Sequence, residues 1–264
     1  MKYQLLPDIK IQEHNKNIIS QFTKQAVPFT KKMEHSHQGA FRLMFEVTGV
    51  TKDDTVLDVA CGPGLVSCAF AGIANHVTGI DITPAMIEQA KLLQNSKKLG
   101  NMTWKIGDVT SLPFEDDSFS LVVTRYSFHH IMDPISVLSE MKRVCKLGGR
   151  IVVIDVTPEK DRVDRYNKME KLRDSSHVKA FTISEFEYMF NHLNIAIQKT
   201  ESYGLEMDLD GQLKASFPNL GDEVKIRDMF EEDVKLNNLG VNSYIKNNKI
   251  YFQYPTSIIV GHKQ

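Results

Sequence analysis

Three acids occupy comparable places in the first half of the chain. Asp58 lies in the apolar run "VLDVA", just before a Gly62-Pro63-Gly64 turn. Asp81 ends the run "HVTGID", seventeen residues after Gly64, and Asp108 follows "MTWKIG". If each run is a strand of one parallel sheet, the acids share its carboxyl edge, where such sheets bind ligands. An acid ending the second strand can accept hydrogen bonds from both hydroxyls of a ribose. One after the third can accept from an adenine amino group, while a backbone amide meets a ring nitrogen. Gly62 and Gly64 let the backbone approach a ligand closely. A carboxylate beside that turn repels phosphate and favours a cation or an amino group. The turn is also a poor dinucleotide fingerprint, because Ser67 stands where G-x-G-x-x-G needs its third glycine. The three acids together suit a nucleoside with a positively charged tail and no phosphate.

A second group follows the fourth apolar run, in "RYSFHHIMDP". His129 or His130 can take a proton or hold a hydroxyl near neutral pH. Their adjacency leaves open which one faces a pocket. Tyr126 and Phe128 can pack on a cation or an aromatic ligand, with core filling as the plainer role for Phe128. Asp155 ends the fifth run, "RIVVIDV", at the same sheet edge, as a working acid or as a capping one. Arg173 to His177, "RDSSH", reads as a substrate clamp or as an ion pair pinning a cap. No spacing on a single element suggests a metal site.

The elements that must hold these residues alternate. Residues 12–36 read as a helix with Ile18, Ile19, Phe22, Ala26, Phe29 and Met33 on one apolar face, interrupted or kinked at Pro28. His35 and His37 read as solvated. Strands "TVLDVA", "HVTGID", "MTWKIGD", "FSLVVTR" and "RIVVIDV" are separated by expected helices at 64–71, 84–98 and 135–146, the last closed by Gly148-Gly149. That rhythm predicts an α/β fold, a doubly wound, mostly parallel sheet covered on both faces. Helices at 162–173 and 184–192 follow, the second with Ser184 and Glu187 as a capping box. Strands "IAIQKTESY" and "IYFQYPTSIIVG" flank a long insertion with helices near 209–216 and 223–237. One domain spans 1–264: a helical lid to residue 40, a cofactor-binding core over 41–200, and a substrate-cap insertion with the final strand over 201–264.

The stretches "VLDVACGPG", "VTGIDITPAMIEQA", "GDVTSLPFEDDSFSLVVTRYSFHHIMDP", "EMKRVCKLGGRIVVID" and "KLRDSSHVKAFTISEFEYMF" resemble the class I S-adenosylmethionine-dependent methyltransferases. Within them the chain is similar to the ubiquinone/menaquinone-biosynthesis type and its uncharacterised bacterial relatives. S-adenosylmethionine is a phosphate-free nucleoside with a sulfonium and an amino-acid end, the ligand that the acids describe. The resemblance covers about residues 15–190 and implies a Rossmann-like, seven-stranded sheet whose last strand runs antiparallel. It implies that Ala60 and Gly62 line the methionine end, Asp81 binds ribose and Ile82 packs on adenine. It implies too that Asp108 and Val109 hold the adenine edge, with Arg125 beside the cofactor. Asp58, Phe29 of the lid and Met86 complete the expected cofactor set; His129, His130 and Asp155 are the catalytic candidates. Ala60 replaces the family's usual glycine, so a slightly tighter turn is expected.

The 264 residues, 42% hydrophobic and 25% charged, can build a sizeable core. The net charge of −1 leaves no basic footprint for nucleic acid. Cys61, Cys68 and Cys145 form no CxxC pair, which speaks against a disulfide framework or zinc site. The start "MKYQLLPDIK" lacks a signal peptide's apolar stretch, and no run approaches the roughly 20 residues that span a bilayer. The expectation is a cytoplasmic monomer or homodimer that binds no metal, membrane or nucleic acid. It methylates a small apolar or aromatic metabolite on O, N or C. Alternatives are a methyltransferase for nucleic acid or protein, and a non-catalytic cofactor-binding regulator.

Overall fold

The computed structural model describes residues 8–36 and 38–264, with side chains described for 10–28 and from 39 onward. The centre of the sheet is β1 (Thr55–Val59), whose Val56, Leu57 and Val59 are wholly buried. A strand apolar at successive positions must be covered on both faces. Val56 joins one core layer with Phe70 and Val77, and Leu57 joins the other with Met141 and Phe186. Successive side chains of a strand point to opposite faces, so one strand feeds both layers.

Parallel to β1 run β2 (His76–Asp81), then β3 (Met102–Ile106) on one side, and β4 (Phe119–Arg125), then β5 (Cys145–Val156) on the other. Beyond β5, β8 (Lys249–Lys263) runs antiparallel, and β6 (Ile195–Asp208) pairs antiparallel with β8. The order β3-β2-β1-β4-β5-β8-β6 is the expected seven-stranded sheet. An eighth strand, β7 (Tyr244–Lys246), adds a hairpin to β8. Its two-residue turn is Asn247-Asn248, both at positive φ, the geometry such hairpins need. Strand order reverses between β1 and β4, so a ligand crevice opens at their carboxyl ends.

Helix α1 (Asp8–Ser36) runs through Pro28 without the expected interruption. The carbonyl that proline leaves without a donor is that of Lys24, an exposed residue, where water can replace it. Phe29, Met33, His35 and His37 lie outside the residues whose side chains are described. Helix α2 (Gln38–Thr48) has no counterpart in the sequence reading. Its signal was present: Gln38, Arg42 and Glu46 recur every fourth residue and leave the apolar residues to the other face. Met44 and Val47 complete the core layer over Val56 and Phe70.

Helix α3 (Leu65–Ala71) and α4 (Pro84–Lys97) cover β1 and β2. Gly64 takes φ +77, and a Cβ there would lie 2.6 Å from the Trp104 ring and 2.8 Å from Ala90 Cβ. That glycine lets the helices close on the indole, whose N–H donates to Gln94 at 2.7 Å.

Helix α5 (Pro134–Val144) ends before Gly148-Gly149, which lie inside β5 and cap nothing. A Cβ on Gly149 would meet Cys145 Sγ at 2.7 Å, so this glycine serves close strand packing. Helices α6 (Val163–Arg173) and α7 (Ile183–His192) follow. The capping box of α7 is Thr182 with Glu185, two residues before the expected pair. The insertion between β6 and β8 holds α8 (Leu209–Ser216) and α9 (Asp222–Leu236). They form a third cluster around Tyr166, Leu213, Phe230 and Tyr254. No helix among the described residues is long and apolar enough to cross a membrane.

Candidate active site

Asp81 ends β2 and clasps the turn after β1. Its Oδ2 accepts the Gly62 N–H and its Oδ1 the Thr83 N–H, both at 2.8 Å. Each oxygen keeps a lone pair for a ligand hydroxyl. Burial raises the Asp81 carboxyl above its usual range, against those hydrogen bonds. Asp108 follows β3. Its Oδ1 accepts Thr110 N–H at 2.9 Å and Thr110 hydroxyl at 2.8 Å, and its Oδ2 accepts from Asn15 Nδ2 of α1 at 2.7 Å.

Two non-glycine residues take left-handed backbone at the ends of neighbouring strands: Ala60 after β1 (φ 55) and Tyr126 after β4 (φ 56). Such strain collects at ligand sites. The Tyr126 hydroxyl lies 3.2 Å from that of Tyr203 and 3.1 Å from that of Thr256. The Arg125 guanidinium sits 4.6 Å from the Tyr126 ring centre and 5.1 Å from that of Phe41.

These elements enclose a cavity of about 150 Å³. Ala60, Gly62, Asp81, Ile82, Met86, Asp108, Val109, Arg125 and His130 all line it. So do Ile11, His14, Asn15, Ile18 and Phe22 of α1. A Cβ on Gly62 would enter open space. Asp58 is not on the wall. It is 1% exposed and accepts the Ser67 hydroxyl at 2.5 Å. Ser67, the residue that breaks the dinucleotide fingerprint, thus serves a buried acid. Burial pushes the Asp58 carboxyl up to about 7.

A second cavity, about 80 Å³, lies under the insertion. His129, Tyr166, Glu170, Arg173, Gln212 and Tyr254 line it. Phe22, Tyr126 and His130 line both cavities and form the neck between them. Arg173 donates to Glu170 Oε2 through Nε (2.9 Å) and Nη2 (2.5 Å), and Tyr254 donates to Glu170 Oε1 at 3.0 Å.

The paired histidines diverge. His129 Nδ1 lies 2.6 Å from Asp155 Oδ1. Burial opposes its charged form, but Asp155 outweighs burial and raises its pKa. Asp155 lines neither cavity and acts as the holder of His129. Burial and the neighbouring His129 push His130 down to about 3, so it is neutral. His14 Nε2 donates to the His130 carbonyl at 2.7 Å.

Sequence reasoning missed His14 and Asn15, although they share helical spacing with Ile11, Ile18 and Phe22. Glu170 carried a signal, three residues before Arg173 on one helix. Tyr254 carried none.

The chemistry of the first cavity's wall fits a cationic nucleoside. Asp81, Asp108 and Asp133 are on it against one guanidinium, Arg125. The methyltransferase-domain family matches residues 57–153, from β1 through most of β5. The uncharacterized methyltransferase YcgJ of Bacillus subtilis (strain 168) is 31% identical over 195 residues, 73% of this chain and 77% of that protein. The crystal structure of YcgJ matches with a TM-score of 0.79 at 28% identity, over 86% of this chain and 99% of that one. Demethylmenaquinone methyltransferase of Staphylococcus aureus (strain JH9) is 36% identical over 112 residues, 41% of this chain and 46% of that protein. Geranyl diphosphate methyltransferase in complex with S-adenosylmethionine shares the fold, with a TM-score of 0.62 at 15% identity over 85% of this chain and 84% of that one. The chain belongs to the class I S-adenosylmethionine-dependent methyltransferases, and S-adenosylmethionine is its cofactor.

Proposed function

We propose that the enzyme methylates a small, mostly apolar or aromatic metabolite seated in the second cavity. The observation that carries this reading is the neck: Phe22, Tyr126 and His130 belong to both cavities. A cofactor in the first and an acceptor in the second would meet there. Asp81 takes the ribose hydroxyls, Asp108 and Val109 the adenine edge, and Ile82 and Met86 the ring faces. Ala60 and Gly62 take the methionine end, with Arg125 beside it. Helix α1 acts as a lid, through its cavity-lining residues Ile11, His14, Asn15, Ile18 and Phe22. Asp58 supports the turn through Ser67 rather than touching the cofactor.

When bound, S-adenosylmethionine supplies an activated methyl group that leaves its sulfur as the acceptor's lone pair arrives. The protein's task is then alignment, which can lower a barrier by up to about 7–11 kcal/mol. His130 is too weak a base near pKa 3 to drive deprotonation at neutral pH. It holds the acceptor's X–H by hydrogen bonding, and the proton that the methylated acceptor sheds passes to water. His129, held toward imidazolium by Asp155, is the donor on the far side. The buried free thiols Cys61, Cys68 and Cys145 support a reducing, cytoplasmic setting.

Incubation with methyl-labelled cofactor and a fractionated metabolite extract tests the reading. Label in a product of low mass is expected. Label only in protein or nucleic acid, or cofactor binding without any transfer, overturns it.

A further inference from the structure

The "RDSSH" loop after α6 lies against the turn that carries the paired histidines. The His129 carbonyl accepts the Val178 N–H at 2.8 Å and the Lys179 N–H at 3.2 Å. Within the loop, Asp174 and Ser176 are 2% and 0% exposed. Asp174 Oδ1 accepts the Ser176 hydroxyl at 2.5 Å and the Ser176 N–H at 2.9 Å. Its Oδ2 accepts from Gln25 Nε2 of α1 at 3.1 Å. On the other side, Ser176 Oγ lies 3.1 Å from His130 Nδ1.

A hydroxyl has one proton to give. With that proton on Asp174, Ser176 Oγ can only accept from His130. His130 must therefore carry its own proton on Nδ1. Its Nε2 bonds to no described residue and is not among the sealed, partnerless atoms. The ring lines both cavities, and the Phe22 ring, 5.0 Å away edge-on, restrains its orientation. Every donor around Asp174 stabilises its carboxylate. Burial pushes that carboxyl up, but His130 in the acid range where it is charged, Arg173 and the Ser176 bonds hold it well below the usual range.

We propose that Asp174 and Ser176 are positioning residues: they keep the His130 proton on Nδ1 and present the Nε2 lone pair to the neck between the cavities. This extends the proposed function, which uses that lone pair to hold the acceptor, but the tautomer itself needs no acceptor to be seen. Gln25 ties the relay to α1, so the helix over the cofactor cavity also contacts the group that sets the tautomer. Around His130 the other titratable groups are His14 on α1, His129 on its own turn, Asp155 on β5, Glu170 and Arg173 on α6, and Asp174 and His177 in the loop.

The test is long-range proton–nitrogen NMR of the full chain with nitrogen-15 histidine and saturating S-adenosylhomocysteine. Loss of signals in His130→Gln assigns the ring. The wild type should show His130 with a protonated Nδ1 and a bare Nε2. Ser176→Ala should shift the tautomer ratio by about tenfold toward Nε2–H, the worth of one hydrogen bond. Ser176→Thr should restore the wild-type pattern, which a merely structural role would not explain. A wild-type ring protonated on Nε2, or an unchanged ratio in Ser176→Ala, overturns the relay. Should Ser176→Ala not fold, the wild-type spectrum alone decides. A correct tautomer with normal turnover in His130→Ala would instead leave the relay standing and remove His130 from the acceptor site.

Discussion

The Asp81 carboxylate and the Gly62 N–H meet at 2.8 Å across 19 residues of chain, so one acid both shapes the cofactor turn and faces the cavity beside it. Asp81→Ala should lose two ligand hydrogen bonds of about 1.5–3 kcal/mol each. Calorimetric titration with S-adenosylhomocysteine should show affinity lower by at least about 100-fold. Affinity within a few-fold of wild type would remove Asp81 from the ribose site. The variant should also melt lower, because the Gly62 and Thr83 N–H groups lose their partner.

Ala60 holds left-handed backbone that glycine adopts without strain. Ala60→Gly should stabilise the protein by about 0.5–1 kcal/mol, the relieved strain less glycine's added freedom when unfolded. Urea midpoints at constant slope measure it. A loss of stability would mean that the Ala60 methyl contributes packing that outweighs the strain.

Histidine 177 should make the fold acid-sensitive. Burial and the charge of His129 push His177 down to about 2, while its Nε2–H donates to Asn167 Oδ1 at 2.7 Å. The folded pKa lies below the unfolded value near 6.5. Stability from this group is therefore present above pH 6.5 and lost as pH falls toward the folded value. Between pH 6 and 4 the wild type should lose about 2 kcal/mol more than His177→Gln, which keeps the donor but does not titrate. Parallel denaturation curves for the two proteins over that range would refute the assignment.

His130→Ala should lower turnover on an accepted metabolite by about tenfold, the worth of one orienting hydrogen bond. Cofactor affinity should stay within a few-fold. His130 does not titrate between pH 6 and 8, so any fall in wild-type turnover as pH rises belongs to His129, whose pKa Asp155 raises, and should persist in His130→Ala. A drop of about 10²–10⁴, or a rate that rises with pH through 7, would make His130 a true general base.

The cofactor edge was legible because a parallel sheet brings every strand-to-helix turn to one side. Local runs therefore sufficed to bring Asp81, Asp108 and Gly62 together. The direction of Asp58 was not legible, since it depends on Ser67 reaching back from α3. The divergence of His129 and His130 was hidden for a similar reason. It depends on Asp155 on one side and Ser176 on the other, 26 and 46 residues away. The second cavity was least visible. Glu170 and Tyr254 meet across 84 residues, and no periodic pattern announces such a pair. Helix boundaries slipped where two capping solutions competed, as at Thr182 and Ser184.

The indole packed behind the cofactor turn has a consequence for how this enzyme can be watched. Trp104 is the chain's only tryptophan. Cβ atoms on Gly64 or Gly79 would strike it at 2.6 and 2.5 Å, so its ring sits against the backbone of the turn and of β2. No second indole blurs it, and excitation at the red edge of its absorption leaves the eight tyrosines dark. Its fluorescence colour and lifetime belong to the wall behind the cofactor, and the native protein carries its own optical gauge of that wall without any attached dye.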